Sequence, residues 1–313
     1  MNILKETNFK NLGEKKTGKV RDIYTQKDKI ILVSTDRHSS FDRIIAHIPY
    51  KGQVLNQISA FWFEQTKSVI SNHVLAIPDP NVVVVKKCKP LPVEMVVRGY
   101  ITGVTGTSLW TLYEKGERDF GSFTLPDGMK KNQKLERPVL TPTTKSDTHD
   151  RPITPDEIVS EGLVEEKMWH EAEQKAIELF ERGQDIAMKA GLILVDTKYE
   201  LGIDEEGVLT IIDEIHTPDS SRYWQANTYQ DRITKGLEPE NFDKEFLRLW
   251  FKENCDPYTD TVLPEAPENM VNELSRRYIQ IYEQITRKAF EIPSKDLNIV
   301  SRIEENLKSY HVT

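Results

Sequence analysis

Apolar positions recur along the chain with two periods, and each change of period marks an element. Gly18–Tyr24, the polar turn Gln26–Asp28 and the apolar run Lys29-Ile-Ile-Leu-Val-Ser34 predict a strand, a hairpin turn and a buried strand. Between Gln53 and Val69 the apolar residues 55, 58, 61, 62 and 69 lie near helical spacing. Val82–Lys86 is a β-branched run and Val93–Arg98 a second strand. Lys89-Pro-Leu-Pro92 joins them as a connector that cannot be helical. Residues Thr102 to Asp150, rich in Gly, Thr, Pro and Lys, read mostly as functional loop. Thr154 before Pro155 signals a capped helix start. Glu165–Ala190, apolar at 168, 172, 176, 179, 180, 186 and 187, is a long amphipathic helix stopped by Gly191.

Leu192–Glu200 is the next strand, and the turn Asp204–Gly207 returns the chain through Val208–Asp213 to complete a hairpin. The remainder predicts helix with Pro-rich joints, most clearly near Pro267 to Phe290. Antiparallel strand pairs followed by a helix-flanked second sheet predict an α+β fold in two lobes, expected at residues 1–92 and 93–313. A Rossmann arrangement is excluded, because no GxGxxG opens a helix after a first strand.

Composition narrows the class. The 313 residues suffice for a substantial core, and 38% hydrophobic with 29% charged residues describes a soluble globular chain. No apolar run approaches the roughly 20 residues of a membrane span. Met1–Glu6 lacks a signal-peptide core, so a cytoplasmic location without membrane association is expected. Cys88 and Cys255 stand outside any CxxC, against a disulfide scaffold or a Cys-rich zinc site. A formal charge of −8 and a pI near 5.5 argue against a partner nucleic acid.

That charge is unevenly spread. Residues 237–273 hold ten acids against three bases, which reads as a solvated surface segment of undetermined role. Lys15 to Arg37 hold seven bases against three acids, and glycine interrupts this stretch at a turn.

Five constellations could carry chemistry. Asp196, Lys198 and Glu200 alternate on one strand and share a face, with Asp213 and Glu214 at the end of the returning strand. Such a face suits hard divalent cations and phosphates, or else forms the solvated, salt-bridged edge of a two-stranded ribbon. Gly18-Lys19-Val20-Arg21 offers close backbone approach and charge to a phosphate, or is an ordinary turn; it is not a Walker A loop. Arg98, followed by a Gly/Thr/Ser loop to Ser108, is a phosphate cradle or a flexible surface loop. Ser34–Asp42 is a polar cluster at a strand end, a ligand site or a capped turn. His216–Trp224 follows the acidic strand end and carries Asp219 and Arg222. No Ser/His/Asp arrangement of triad character stands out, so phosphoryl transfer or ATP-driven ligation fits better than nucleophilic catalysis by the protein.

The ordered motifs GKVRDIY, STDRHSSFD, KGQVLNQIS, EMVVRGYITG, TPTTKSDTHD, LILVDTKYELG and DEIHTPDSSRYW, with SRRYIQIYEQIT after the acidic window, closely resemble the SAICAR synthetases of purine biosynthesis. The likeness runs from about Gly18 to Trp224. It implies an ATP-grasp-like fold of two lobes with antiparallel sheets flanked by helices. It also implies ligation of L-aspartate to CAIR, driven by ATP with Mg2+ and passing through an acyl phosphate. By the same resemblance Gly18, Lys19 and Arg21 cover the ATP phosphates. Adenine lies against Lys86, Lys89 and Leu91, followed by the Glu94 strand. Lys198 points toward ATP, Glu200 and Asp213 hold magnesium, and Lys198, Asp213 and Arg222 form the catalytic set. Arg98 and Ser108 take the ribotide phosphate, while Ser39, Asp42, Asp150, Asp219 and Arg222 serve the substrate side. Here Val104-Thr-Gly-Thr intervenes before Ser108, leaving the phosphate-binding hydroxyl open among Thr105, Thr107 and Ser108.

Two rivals stand beside the ligase. A small-molecule kinase shares the phosphate-handling parts. A degenerate regulatory protein would lose residues among Arg98, Lys198, Glu200 and Asp213, and all four are present.

Overall fold

A computed structural model describes residues 2–145, 151–242, 245–294 and 296–312. In chain order the first elements are β1 (Glu14–Thr17), β2 (Arg21–Thr25), β3 (Lys29–Ser34), β4 (Arg37–Ser40), β5 (Arg43–His47), α1 (Lys51–Thr66), β6 (Ser71–Asn72), β7 (Val74–Asp79) and β8 (Val82–Lys86). The central part contains β9 (Lys89–Ile101), α2 (Leu109–Glu114), β10 (Gln133–Leu140), β11 (Thr143–Thr144), α3 (Pro155–Ser160), α4 (Glu166–Lys189), β12 (Leu192–Ile203), β13 (Leu209–Ile212) and β14 (Ser221–Gln225). Four helices close the chain: α5 (Ala226–Thr234), α6 (Glu245–Asn254), α7 (Glu268–Thr286) and α8 (Ile299–Asn306). None of the described helices is long and apolar enough to cross a membrane.

The chain divides into two compact units. One comprises Met1–Phe61, His73–Lys87 and Phe242–Thr313, the other Trp62–Asn72 and Cys88–Asn241. The chain passes between the units at residues 61/62, 72/73, 87/88 and 241/242, and the C-terminal residues group with the N-terminal ones. The cause is the apolar stripe Ile299, Ile303 and Leu307, which recurs every four residues along α8. It packs with Tyr24, Ile31, Val33, Val82 and Val84 of the antiparallel sheet β1-β2-β3-β8-β7. Arg302 fixes the same helix by a fork onto Asp79 at 2.9 Å and a bond to Asn81 at 2.7 Å.

The second unit is built on seven strands in the path β10-β9-β12-β13-β6, with β11 added to β9 and β14 to β12. α4 lies on β12 and turns its buried residues Trp169, Ala172, Ala176, Leu179 and Phe180 inward. Its end at Gly191, with φ 75°, matches the expected stop. Thr154 caps α3 and forms a capping box with Glu157.

Three expectations change. Lys89–Pro92 is the start of β9 rather than a connector, a position where a strand tolerates proline. The stretch read as loop contains α2, β10 and β11. In β10, Pro138 interrupts a polar, edge-paired strand in the interval where its register with β9 shifts. Ser221–Gln225, within the stretch read as helical, is a strand because β12 offers it a partner.

Candidate active site

β12 is flanked on one side by β9 and on the other by β14 and then β13, so its charged face lies inside a sheet and not on a ribbon edge. Asp196 stands opposite Arg98 on β9 and opposite Arg222 on β14. Glu200 stands opposite Glu94. Two carboxylates directly across a strand pair repel, and two lysines relieve this. Lys198 Nζ donates to Glu94 Oε1 at 2.6 Å and lies 3.5 Å from Glu200 Oε1. Lys145 pairs with the other Glu200 oxygen. Burial opposes the Lys198 charge, but the Glu94 hydrogen bond and the charges of Glu94, Glu200 and Asp213 outweigh it. They hold its pKa above the ordinary lysine value.

Two residues along the same face, Asp196 holds two guanidinium groups. Arg222 Nε donates to Asp196 Oδ1 at 2.9 Å and Nη2 donates to Oδ2, while Arg98 Nη1 lies 3.8 Å from Oδ2. Arg98 Nε also donates to Thr141 Oγ1 at 2.9 Å. Burial pushes the Arg98 pKa down from its ordinary value, with Asp196 opposing, so one carboxylate stabilises a pair of like charges. Ser108 is buried beside this rung: a Cβ added to Gly103 would meet Ser108 Cβ at 2.3 Å and Arg222 Nη1 at 3.5 Å. Gly103 has φ 109°, so both backbone and space require glycine there. The Ser108 hydroxyl donates to the Thr105 carbonyl at 2.8 Å and meets Thr111 Oγ1 at 2.8 Å.

The loop after β13 begins and bends on two left-handed residues, Asp213 with φ 62° and His216 with φ 51°. A buried aromatic cage holds its middle. His216 Nε2 is bonded to the Tyr199 hydroxyl, and its carbonyl accepts from Tyr223 Oη at 2.7 Å. The Trp62 ring stands edge-on with centroids 4.6 Å apart. Burial lowers the His216 pKa to about 3, so the folded protein keeps this imidazole neutral.

The unfolded chain binds that proton near pH 6.5, so stability contributed by His216 is lost as pH falls from about 6.5 toward 3, at up to ~1.4 kcal/mol per pH unit. Asp36, pushed up to about 6 by burial, acts in the opposite sense above pH 3.8. The expected result is therefore a difference: His216→Asn, which tolerates the left-handed backbone, flattens the fall in urea midpoint between pH 7 and 5 relative to wild type. Equal slopes would contradict a neutral buried imidazole.

In the first unit Gly18 turns β1 into β2, its N–H donating to the Arg21 carbonyl at 2.8 Å. Buried Arg37 lies beneath this tip. It donates to the carbonyls of Gly18 at 3.1 Å, Lys19 at 3.2 Å and Lys5 at 2.7 Å, and to Asp22 Oδ1 at 2.8 Å. Lys19 Nζ reaches Asp42 Oδ1 at 2.5 Å on the turn between β4 and β5.

Comparison with known proteins gives this geometry its context. Residues 14–265 match the family model described as SAICAR synthetase. The chain belongs to the SAICAR synthetase family. The phosphoribosylaminoimidazole-succinocarboxamide synthase of Legionella pneumophila (strain Paris) is 56% identical over 298 residues, spanning 95% of this chain and 96% of that one. The chloroplastic counterpart of Arabidopsis thaliana is 54% identical over 309 residues, 97% of this chain and 75% of that one. Among solved structures, a Saccharomyces cerevisiae SAICAR synthase complexed with SAICAR superposes with a TM-score of 0.79. It shares 31% identity and covers 92% of this chain and 100% of that chain. A SAICAR synthetase in complex with ADP gives 0.67 at 26% identity, covering 89% and 100%. The chain is accordingly an ATP-dependent ligase of purine biosynthesis that joins L-aspartate to CAIR, on the α+β fold of its family.

Within the second unit, the residues singled out from the family motifs gather on one sheet face and its adjoining loops: Glu94, Arg98, Lys198, Glu200 and Arg222, with Ser108 near Arg222 and Asp213 acting on Lys198. Asp219 is half-buried in the loop before β14, its N–H donating to Thr217 Oγ1 at 3.3 Å. Lys89 is exposed and Leu91 buried at the start of β9. In the first unit Lys19 meets Asp42, and Lys86 ends β8 opposite Lys29. Ser39 is half-buried on β4, and Asp150 lies outside the described residues.

Sequence reasoning did not single out Lys145 on Glu200, Arg37 under the glycine tip or His216 in its cage, and it placed Asp196 on the charged face without the role of shared counter-charge. Asp196 had a signal, its parity with Lys198 and Glu200. Lys145 stood inside the TPTTKSD motif. Arg37 and His216 had none beyond their motifs, because their partners are distant in sequence.

Proposed function

We propose that the ligation runs through an acyl phosphate. The CAIR carboxylate attacks the ATP γ-phosphorus, a new O–P bond forms, and the bond to the β,γ-bridging oxygen breaks to release ADP. The aspartate amine then attacks the activated carbonyl carbon, phosphate departs with the C–O bond, and the amine proton is lost to give the amide. Gly18, Lys19 and Arg21 would neutralise ATP phosphates and Lys198 would meet the transferring group. The adenine would lie against Lys86–Leu91 ahead of Glu94. Arg98 and Ser108 would hold the ribotide phosphate, while Ser39, Asp42, Asp150, Asp219 and Arg222 would serve the CAIR and aspartate side. The compartment in this reading is the cytoplasm.

The observation that carries this reading is the division of one sheet face. A lysine–carboxylate cluster at Lys198 lies beside an arginine rung at Asp196, two residues or about 7 Å away along the strand. The first suits a cation-neutralised transferring phosphoryl group and the second a phosphate monoester held by forked donors. Of the three candidate hydroxyls, Ser108 fits best. It is buried beside Arg222, whereas Thr105 and Thr107 are exposed.

For Mg2+ the donor set fits. Among the described residues no group of three or more His, Cys, Asp or Glu gathers to hold a metal ion, and magnesium is commonly held by one or two carboxylates plus substrate phosphates. Glu200 and Asp213 would supply those carboxylates, and the ion would offset charge on the phosphates. ADP release followed by a coupled assay is expected to require both CAIR and aspartate. ADP formed with a stable phosphorylated product and no need for the amine would replace the ligase by a kinase.

A further inference from the structure

The acidic window is not merely solvated surface. In α6, Leu247 and Phe251 are fully buried, and the loop after it reaches the turn between β4 and β5. That turn is conformationally unusual. Phe41 and Asp42 have φ 56° and 57°, the pair of left-handed residues a two-residue primed hairpin requires. Asn and Gly normally fill those positions. A phenylalanine there costs free energy, on the order of 1 kcal/mol, and persists only where its surroundings over-determine it.

The surroundings come from residues 248–261. Arg43, the residue after the turn, donates Nη1 to the carbonyls of Asp260 at 2.5 Å and Pro257 at 3.3 Å, and Nη2 to Thr261 at 3.1 Å. Tyr258 packs edge-on against Phe41 with centroids 5.4 Å apart, and the Arg248 guanidinium lies 5.2 Å from the same ring centroid. The acids of this loop face its own backbone. Asp256 Oδ1 accepts from the N–H groups of Tyr258 at 2.9 Å and Thr259 at 3.2 Å, and Asp260 Oδ2 accepts from Asp256 N–H at 2.9 Å. With its N–H groups turned inward onto carboxylates, the loop presents three carbonyls to a single guanidinium.

We propose that Arg43 is a positioning residue, and that the loop of residues 256–261 is the clamp through which it fixes the Phe41–Asp42 turn and so the placement of Ser39 and Asp42 against substrate. This rests on the reading of those two residues as substrate contacts. Three carbonyls served by one planar fork demand arginine, since a lysine ammonium is a single point with different directions.

The test uses Arg43→Ala, Arg43→Lys, Tyr258→Ala and Asp42→Asn in the full chain, with kinetics and hydrogen exchange over residues 37–47. Both Arg43 variants and Tyr258→Ala are expected to speed exchange of the turn at least about tenfold. They should raise KM for CAIR or aspartate several-fold, raise KM for ATP less because Asp42 also pairs with Lys19, and keep the thermal midpoint near wild type. Unchanged exchange in both Arg43 variants overturns the clamp, as does full rescue by lysine. Faster exchange with unchanged KM values overturns the link to substrate. If Asp42→Asn is itself kinetically silent, the substrate reading of the hairpin has failed and the exchange result alone judges the clamp.

Discussion

Asp213→Asn is expected to lower turnover by about a thousandfold while leaving the fold intact. The loss corresponds to about 4 kcal/mol, the scale at which neutralisation of a transferring phosphoryl group contributes. The proposed roles of Asp213 are charge roles: it would ligate the ion, and it already helps hold the Lys198 ammonium charged. Asparagine keeps the shape and removes the charge. It also keeps the backbone, because φ 62° lies in the left-handed region that Asn adopts more readily than most residues. Asp213 is half-buried just after β13. Saturating ADP-release kinetics, far-UV circular dichroism and a thermal midpoint check the three parts separately. Near-normal turnover at saturating magnesium would remove the metal role from Asp213. A collapsed midpoint would recast the residue as structural.

Gly52→Ala is expected to destabilise by about 3 kcal/mol or more, lowering the thermal midpoint by on the order of 10 °C. Helix propensity alone predicts the opposite, a gain of about 1 kcal/mol for Ala over Gly within α1. Packing decides the sign. A Cβ at residue 52 would sit 2.3 Å from the Ser34 carbonyl oxygen, 2.7 Å from its carbon and 2.9 Å from the Thr35 carbon, all backbone atoms with no side-chain freedom to yield. The Gly52 N–H also donates to buried Asp36 Oδ1 at 2.9 Å, so moving the helix away breaks a second contact. A variant as stable as wild type in urea and heat would show that α1 does not press on β3 in solution.

Parts of this molecule were legible because their cause is local. Thr154 before Pro155, Gly191 after the amphipathic run and Gly207 between two apolar stretches each act through neighbours a few residues away, and each lies where expected. The resemblance carried the family, and the comparisons bear it out. Elements with distant causes were missed. β10 carries a proline and few buried residues, and it becomes a strand only because β9 lies beside it. β14 was misread as helix for the same reason, since its partner strand is remote in sequence; α8 lies in the stretch expected to be helical, but the sheet it packs on is equally remote.

The site divides along the same line. Sequence alone determined that Asp196, Lys198 and Glu200 share a face, because the two-residue period of a strand is a property of the backbone itself. Only the tertiary structure decided which residues face them: Arg98 and Arg222 across Asp196, and Glu94 across Glu200 with Lys198 between. Register is set by which long-range pairing buries the most apolar surface and leaves the fewest charges unmatched, and no local window contains that information. The acidic window follows the same rule. Its composition was plain from the sequence, but two of its carboxylates, Asp256 and Asp260, turn inward onto their own loop, and only the folded chain brings that loop's carbonyls to Arg43.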